Sequence, residues 1–254
     1  MFKIKAGSRQ IEWMKWAPNS DILVALLTLA WMTFAYYTMH HTESPLFIVC
    51  GFTLLTNLIV NVVFPTCWVV GYRKQPLSEL GVTTHRWLPS LLISLLIAGF
   101  YVLQLQPVLE KEDWLPRILY CALCLWEPFF IHGWLQLRFE RAFGVLPGIV
   151  MAGLGLMIFH VGSTPNRFLL ELFMSGVAYA ALFRLTRNLL ALWPLGWALA
   201  SAVGTAQTGT TFTWMIVVTY IVIVALQLGF VAFMGRRRAK RWAARDLTSH
   251  SICL

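Results

Sequence analysis

Eight apolar stretches dominate this chain, near residues 21–39, 46–71, 88–106, 115–137, 145–163, 168–184, 189–205 and 213–235. Most match the roughly 17 to 25 residues that a helix needs to cross a bilayer, while the sixth and seventh are short. The charged fraction agrees with such a parse: only 12% of the 254 residues are Asp, Glu, Lys or Arg, against about 25% in a soluble domain. There are too few polar side chains to cover a core in water, so the bilayer is the expected solvent. The expected fold is therefore all-α, a polytopic membrane protein of eight transmembrane helices.

The net charge of +9 admits nucleic acid, a membrane surface or an acidic substrate until the charges are placed. Basic residues collect on the cytoplasmic connections of membrane proteins. With the N-terminus inside, 17 of the 20 Lys and Arg fall on inside segments, and only Lys111, Arg117 and Arg167 fall outside. A miscounted span would scramble this alternation, so both termini are expected in the cytoplasm. The domains read as a cytoplasmic amphipathic N-terminus over 1–20, a membrane domain over 21–235 and a basic cytoplasmic tail over 236–254. The expected location is multi-pass in a membrane, most simply a bacterial inner membrane, with the lipid bilayer as first partner.

The tail run Arg236-Arg237-Arg238-Ala239-Lys240-Arg241 reads as a topology determinant that also attracts anionic lipid. No nucleic-acid partner is expected, because no stacking platform or reading helix accompanies it. The first span reads as a signal anchor, since its apolar run is too long for a cleaved signal and no small-residue cleavage site follows. Trp13 and Trp16, ahead of an Asn19-Ser20-Asp21 cap, suit the inner headgroup layer. Five cysteines are an odd number, and Cys50, Cys67, Cys121 and Cys124 lie in apolar runs, which argues for packing over a disulfide framework. Cys253 stands second from the end, so the terminus is not a prenylation box.

Ionisable groups inside spans cost about 2.5 to 3.5 kcal/mol at a helix centre and are functional candidates for that reason. Here they are Glu127, His132, His160 and Glu171. Pro128 follows Glu127 and predicts a kink at the carboxylate, with Glu127 lining a cavity. Glu127 stands 17 residues before the turn at Gly144 and His160 stands 16 after it. In an antiparallel hairpin rising about 1.5 Å per residue, the two share a depth and can share a water, with Glu as general base. His132 lies about 140° round a regular helix from Glu127 and joins it only if Pro128 distorts the turn. A two-His-one-carboxylate set of Glu127, His132 and His160 would then suit a divalent metal; the Glu/His reading itself requires no cofactor. Asn57 and Asn61 share a face and are expected to join helices.

These residues resemble the CAAX prenyl protease and bacteriocin-processing (CPBP, or Abi) family of intramembrane proteases. Its first motif is Glu-Glu-x-x-x-Arg, commonly followed by Gly, its second Phe-x-x-x-His, and its third His-x-x-x-Asn or Asp. Glu127 and Gly133 match the first motif and His160 matches the second, within a likeness over about 115–205. Pro128 stands for the second Glu, His132 for the Arg and Leu156 for the Phe. Around Trp197 to Ser201 no His or Asn supplies the third motif. The resemblance implies an eight-helix endopeptidase acting on a membrane-associated peptide or lipidated substrate, with Glu127 and His160 catalytic and His132 assisting. Two alternatives remain open: a degenerate relative that binds a peptide or lipid, and a membrane enzyme acting on an isoprenoid.

Overall fold

A computed structural model of the chain describes residues 3–4 and 11–251. The remainder of the predicted N-terminal segment, residues 1–2 and 5–10, and the closing 252–254 with Cys253 lie outside the described residues. Apart from a two-residue antiparallel pairing of Lys3–Ile4 with Ile11–Glu12, the regular elements are helical. They are α1 Ser20–His41, α2 Phe47–Tyr72, α3 Trp87–Val102, α4 Trp114–Phe143, α5 Val145–Phe159, α6 Asn166–Thr186, α7 Leu195–Gln207 and α8 Trp214–Ser251, with one-turn helices at Leu77–Leu80, Gln106–Leu109 and Leu189–Ala191. Five of them, α1, α2, α4, α6 and α8 over Trp214–Lys240, are long and apolar enough to cross a membrane. Helices α3 and α5 are apolar but shorter, at 16 and 15 residues, and α7 has 13.

Several boundaries differ from the sequence expectation, those of α7 and α8 among them. The stretch expected to span 189–205 starts as a single turn, Leu189–Ala191, capped by the Asn188 side chain, which accepts from Leu190 N at 3.0 Å. Helix α7 begins only after Pro194, where a missing N–H costs nothing because the first turn has no intrahelical acceptor for it. At the other end α8 does not stop at 235 but continues through the basic run as one helix of 38 residues.

Helix α4 is the centre of the molecule. In its most apolar window 72% of residues are buried, against 22% to 33% for the other four long helices, so protein rather than lipid surrounds it. Its last turns and α5 form an antiparallel hairpin through Gly144, whose φ of +96° places it where a side chain is disfavoured. The N-terminal segment is strapped across that turn: Lys15 N donates to Phe143 O at 2.9 Å, Ala17 N to Ala142 O at 2.8 Å and Leu146 N to Trp13 O at 3.1 Å. Helix α1 then starts with the expected cap, Asn19 Oδ1 accepting from Asp21 N at 2.9 Å.

Some basic residues do more than mark a face. Asp21 is buried and accepts from Trp68 Nε1 at 2.9 Å and Arg73 Nε at 2.8 Å. Arg138, also fully buried, lies 3.7 Å from Asp21 and donates to Glu79 O at 2.7 Å. Arg141 pairs with Glu79 and donates to Gln75 Oε1 at 2.5 Å. This network ties α1, α2 and the 73–86 loop to α4. At the opposite end Arg117, expected as an outside surface charge, is buried and donates to Asp113 and to Thr210 O at 2.6 Å. Asp113 in turn accepts from Phe212 N at 2.6 Å, which anchors the loop before α8.

Helices α5 and α6 pack most closely through small residues. A Cβ placed on Gly176 would lie 2.8 Å from the Gly153 Cα, and one on Gly153 would lie 2.8 Å from Phe173 O. This is the packing that replaces the hydrophobic effect between helices in lipid. Asn57 and Asn61 are buried and bridge helices: Asn57 Nδ2 donates to the Tyr220 hydroxyl at 2.7 Å and Asn61 Nδ2 to the Met32 sulfur at 3.2 Å.

Gly176→Ala is expected to destabilise the protein by about 1–3 kcal/mol through overpacking. Gly204→Ala, with open space around its Cβ, should be neutral or stabilising by up to about 1 kcal/mol through helix propensity; denaturant titration in detergent measures both. At Asp113, which lies just outside the α4 span, burial raises the carboxyl pKa, but hydrogen bonds from Arg117 and Phe212 more than offset it and hold the value below 3.8. A depressed carboxylate contributes stability above its unfolded value and loses it as pH falls through the folded value. The wild type should therefore shed an acid-sensitive increment below about pH 4 that Asp113→Asn lacks, read as melting temperature against pH.

Candidate active site

The backbone of α4 breaks one turn before the carboxylate. Cys124 ends the Trp114–Leu123 segment with ψ of 58°, and Trp126–Pro128 opens a new helical turn. Pro128 has no N–H to offer the Cys124 carbonyl four residues back, and its ring would collide with that carbonyl in a continuous helix. The expected kink therefore exists but lies at Cys124 rather than at Glu127. Glu127 sits in the first turn of the resumed helix, where Pro is tolerated at the next position. From Phe129 to Gln136 the helix widens to hydrogen bonds spanning five residues. Such π turns bring residues five apart toward one face, and Glu127 and His132 stand in that relation.

Glu127 uses its two oxygens differently. Oε2 accepts from Trp197 Nε1 at 2.9 Å, whereas Oε1 lies 4.0 Å from His160 Nε2. The His160 ring is oriented by its other nitrogen, Nδ1, which is 2.8 Å from Leu156 O. A carbonyl only accepts, so Nδ1 carries the hydrogen, and in the neutral ring Nε2 presents a bare lone pair to Glu127. Two atoms 4.0 Å apart are beyond direct hydrogen bonding, yet both can reach one water at about 2.8 Å. Both side chains keep slight exposure, 12% for Glu127 and 13% for His160.

Aromatic rings wall this pair. Tyr36 of α1 meets His160 edge-on with centroids 5.0 Å apart and Phe159 at 5.2 Å. Trp126 packs 6.3 Å from Phe52 and from Phe159. On the far side of Glu127, the Trp197 ring packs on Tyr179 at 5.3 Å, and the Tyr179 hydroxyl donates to that of Tyr101 at 2.8 Å.

His132 stands behind Trp197 rather than beside His160. Its ring meets the indole edge-on at 5.8 Å, and it is fully buried. Gln136 Nε2 donates to Glu140 at 2.9 Å and to Ala180 O at 3.0 Å. The Gln136 oxygen is thus left to accept from His132 Nδ1 at 3.0 Å. The polar ladder continues to Arg187, whose Nη2 donates to Glu140 Oε2 at 2.5 Å, with Arg184 at 3.5 Å. His132 Nε2 is buried without a hydrogen-bond partner. Among the described residues no three His, Cys, Asp or Glu side chains come together as a metal-holding group. Glu127, His132 and His160 therefore do not form the two-His-one-carboxylate set, and the Trp197 indole touches both His132 and Glu127.

The remaining sequence candidates fall elsewhere. Glu171 is exposed near the beginning of α6. Cys121 and Cys124 are free thiols, both buried. Trp197 escaped the sequence reading because a tryptophan in an apolar helix looks like packing. The available signal was its place, at the position where the family resemblance requires a third polar motif.

No curated protein and no solved structure is matched by this chain. Residues 112–199, which contain Glu127, His132, His160 and Trp197 together, match the family model of the Rce1-like type II CAAX prenyl endopeptidases.

Proposed function

We propose that the chain is an intramembrane endopeptidase that cuts a membrane-associated peptide, of lipidated or leader type, with a water activated by Glu127 and His160. The observation that carries this reading is the 4.0 Å gap between Glu127 Oε1 and His160 Nε2, with each group's other polar atom already committed. A water in that gap gives one hydrogen to the carboxylate and one to the imidazole, leaving an oxygen lone pair for the substrate carbonyl. As the water oxygen bonds to the carbonyl carbon, Glu127 takes the proton and the C=O pair moves onto oxygen. Collapse of that intermediate breaks the C–N bond while Glu127 returns the proton to the leaving nitrogen.

Trp197 holds the other carboxylate oxygen and so fixes the orientation of Glu127. His132 is a positioning residue in this scheme: it acts through its contact with the indole and is itself held by Gln136. Eight helices cross the bilayer in the same reading, with 1–20 and 236–254 at the cytoplasmic face of a bacterial inner membrane. One observation favours a second reading, a relative that binds a peptide or lipid without cutting it. The third-motif position holds an indole already committed to Glu127, so no further polar side chain is supplied there.

Glu127→Gln should lower cleavage by about 10²- to 10⁴-fold, the usual contribution of a general base, with the folded protein unchanged in thermal stability. Mass spectrometry of membranes carrying the wild type or the variant reads it: a peptide that accumulates uncut beside the variant supports the peptidase. A copurifying peptide or lipid that stays intact with both points to the binding protein. Trp197→Phe keeps the ring but removes a hydrogen bond to a charged group worth about 1.5–3 kcal/mol. It is expected to reduce the cleavage rate by roughly 10- to 150-fold by the same conversion, without a comparable change in substrate affinity.

A further inference from the structure

Where α8 leaves its apolar stretch it runs beside the 73–86 loop, and the two enclose an open groove of about 620 Å³, within the roughly 300 to 1,000 Å³ usual for small-molecule sites. One wall is a single helix face: Gly235, Arg238 and Ala239 stand at helical spacings of three and four residues. The two small residues leave the space, and Arg238 brings a cation to it. The other wall is the loop, with Pro76, Leu77 and Val82 as its apolar part and the hydroxyls of Ser78, Thr83 and Thr84 as its polar part. A Cβ on Gly235 would lie 2.8 Å from Leu77 Cδ1, so the loop packs directly on the helix backbone there.

The loop wall is held in place by the rest of the fold. Gly81, at φ +73°, turns the chain, and its carbonyl accepts from Leu189 N at 3.0 Å. Asn188 Nδ2 donates to Thr83 O at 2.9 Å and to His85 O at 3.0 Å. Thr83 Oγ1 accepts from His85 N at 3.1 Å, which leaves its own hydrogen for a ligand. Arg238 is tied to the loop through Nη2, which donates to Lys74 O at 3.2 Å. Glu79, the one carboxylate of the loop, pairs with Arg141 and is not among the residues that line the groove. The lining thus offers a cation and hydroxyl donors, with no acid to oppose an anion.

The level of the groove selects the kind of anion. Gly235 closes the apolar stretch of α8 and Arg236 opens the basic run, so the groove straddles the level at which hydrocarbon gives way to headgroups. A ligand there meets both apolar side chains and guanidinium and hydroxyl groups, which suits an amphiphile with a phosphate head. We propose that this groove binds one anionic phospholipid, its phosphate held by Arg238 with the Thr83 and Thr84 hydroxyls and its glycerol and acyl part on Pro76, Leu77 and Val82. Such a site is distinct from the diffuse attraction of a basic tail for an acidic membrane, and independent of the reaction proposed for Glu127 and His160.

Native mass spectrometry of the full-length protein in a neutral detergent, titrated with phosphatidylglycerol, tests this. The expected result is a single lipid bound per chain before any further lipid, about tenfold more tightly than phosphatidylcholine. Ala239→Leu fills the groove without changing charge, and Arg238→Gln removes the cation. Each should weaken that first binding about tenfold or more, in the second case because a hydrogen bond to a charged group is lost. The double variant Arg236→Gln/Arg237→Gln removes two exposed cations outside the groove and should alter it less than about threefold at an ionic strength that screens distant charges. Ala239 is exposed, so its variant keeps the test informative if Arg238→Gln does not fold. Equal binding of phosphatidylcholine overturns the proposal, and so does displacement of phosphatidylglycerol by an equal concentration of inorganic phosphate, which makes a free anion the occupant. First binding that is unchanged in Ala239→Leu but lost in Arg236→Gln/Arg237→Gln overturns it in favour of diffuse attraction. None of these readouts uses cleavage, so each stands whatever Glu127→Gln does to the reaction.

Discussion

The resumed part of α4 has no lipid-facing side, and this constraint shapes everything near it. From Pro128 to Glu140 each residue is enclosed by protein, so every polar group on that stretch must find a partner among its neighbours. An unsatisfied group in such surroundings costs about 1–3 kcal/mol, more if charged. His132 through Nδ1, Gln136 and Glu140 meet most of it as a ladder on one face that ends at Arg184 and Arg187, while His132 Nε2 is left without a hydrogen-bond partner. Arg138 meets it on another face, through Asp21 and the Glu79 carbonyl. The same enclosure needs small residues where backbones meet, which explains Gly133: a Cβ there would lie 2.5 Å from Leu80 O.

The break at Cys124 is the complementary feature. It ends the first segment of α4 and restarts the helix with Glu127 in its first turn. Because the carboxylate is set by a helix start rather than by a distorted helix interior, its backbone is ordinary. Its special character comes from tertiary neighbours, with Trp197 on one oxygen and His160 facing the other. These come from α7 and the end of α5, elements separated from Glu127 by 70 and 33 residues in the chain.

Depth was legible in the sequence because it depends only on counting residues from a turn. Glu127 and His160 are nearly equidistant from Gly144, and a helix rises at a constant rate. Facing direction was less legible. Whether His132 points with Glu127 depends on a π-helical turn, and that turn is selected by packing around α4 rather than by any local propensity. The expected burial of Asn57 and Asn61 between helices could be read from their spacing, but their partners Tyr220 and Met32 could not. Arg117 was assigned to the outside and Arg138 to an inside segment, since the distribution of basic residues is read from connections and is blind to a salt bridge that draws one inward.

By itself the sequence determined that this is a helical chain with several segments able to cross a membrane, and it singled out Glu127 and His160 as ionisable groups at a shared depth. Hydropathy and charge act residue by residue, so they survive without coordinates. Only the tertiary structure decided that Trp197 Nε1 donates to Glu127 and that His132 packs against the Trp197 ring. It also showed that the helix carrying Glu127 and His132 is enclosed by protein from Pro128 to Glu140. Those outcomes depend on which helices touch, and in a bilayer that choice is made by close packing and polar satisfaction among distant segments, which no local pattern encodes.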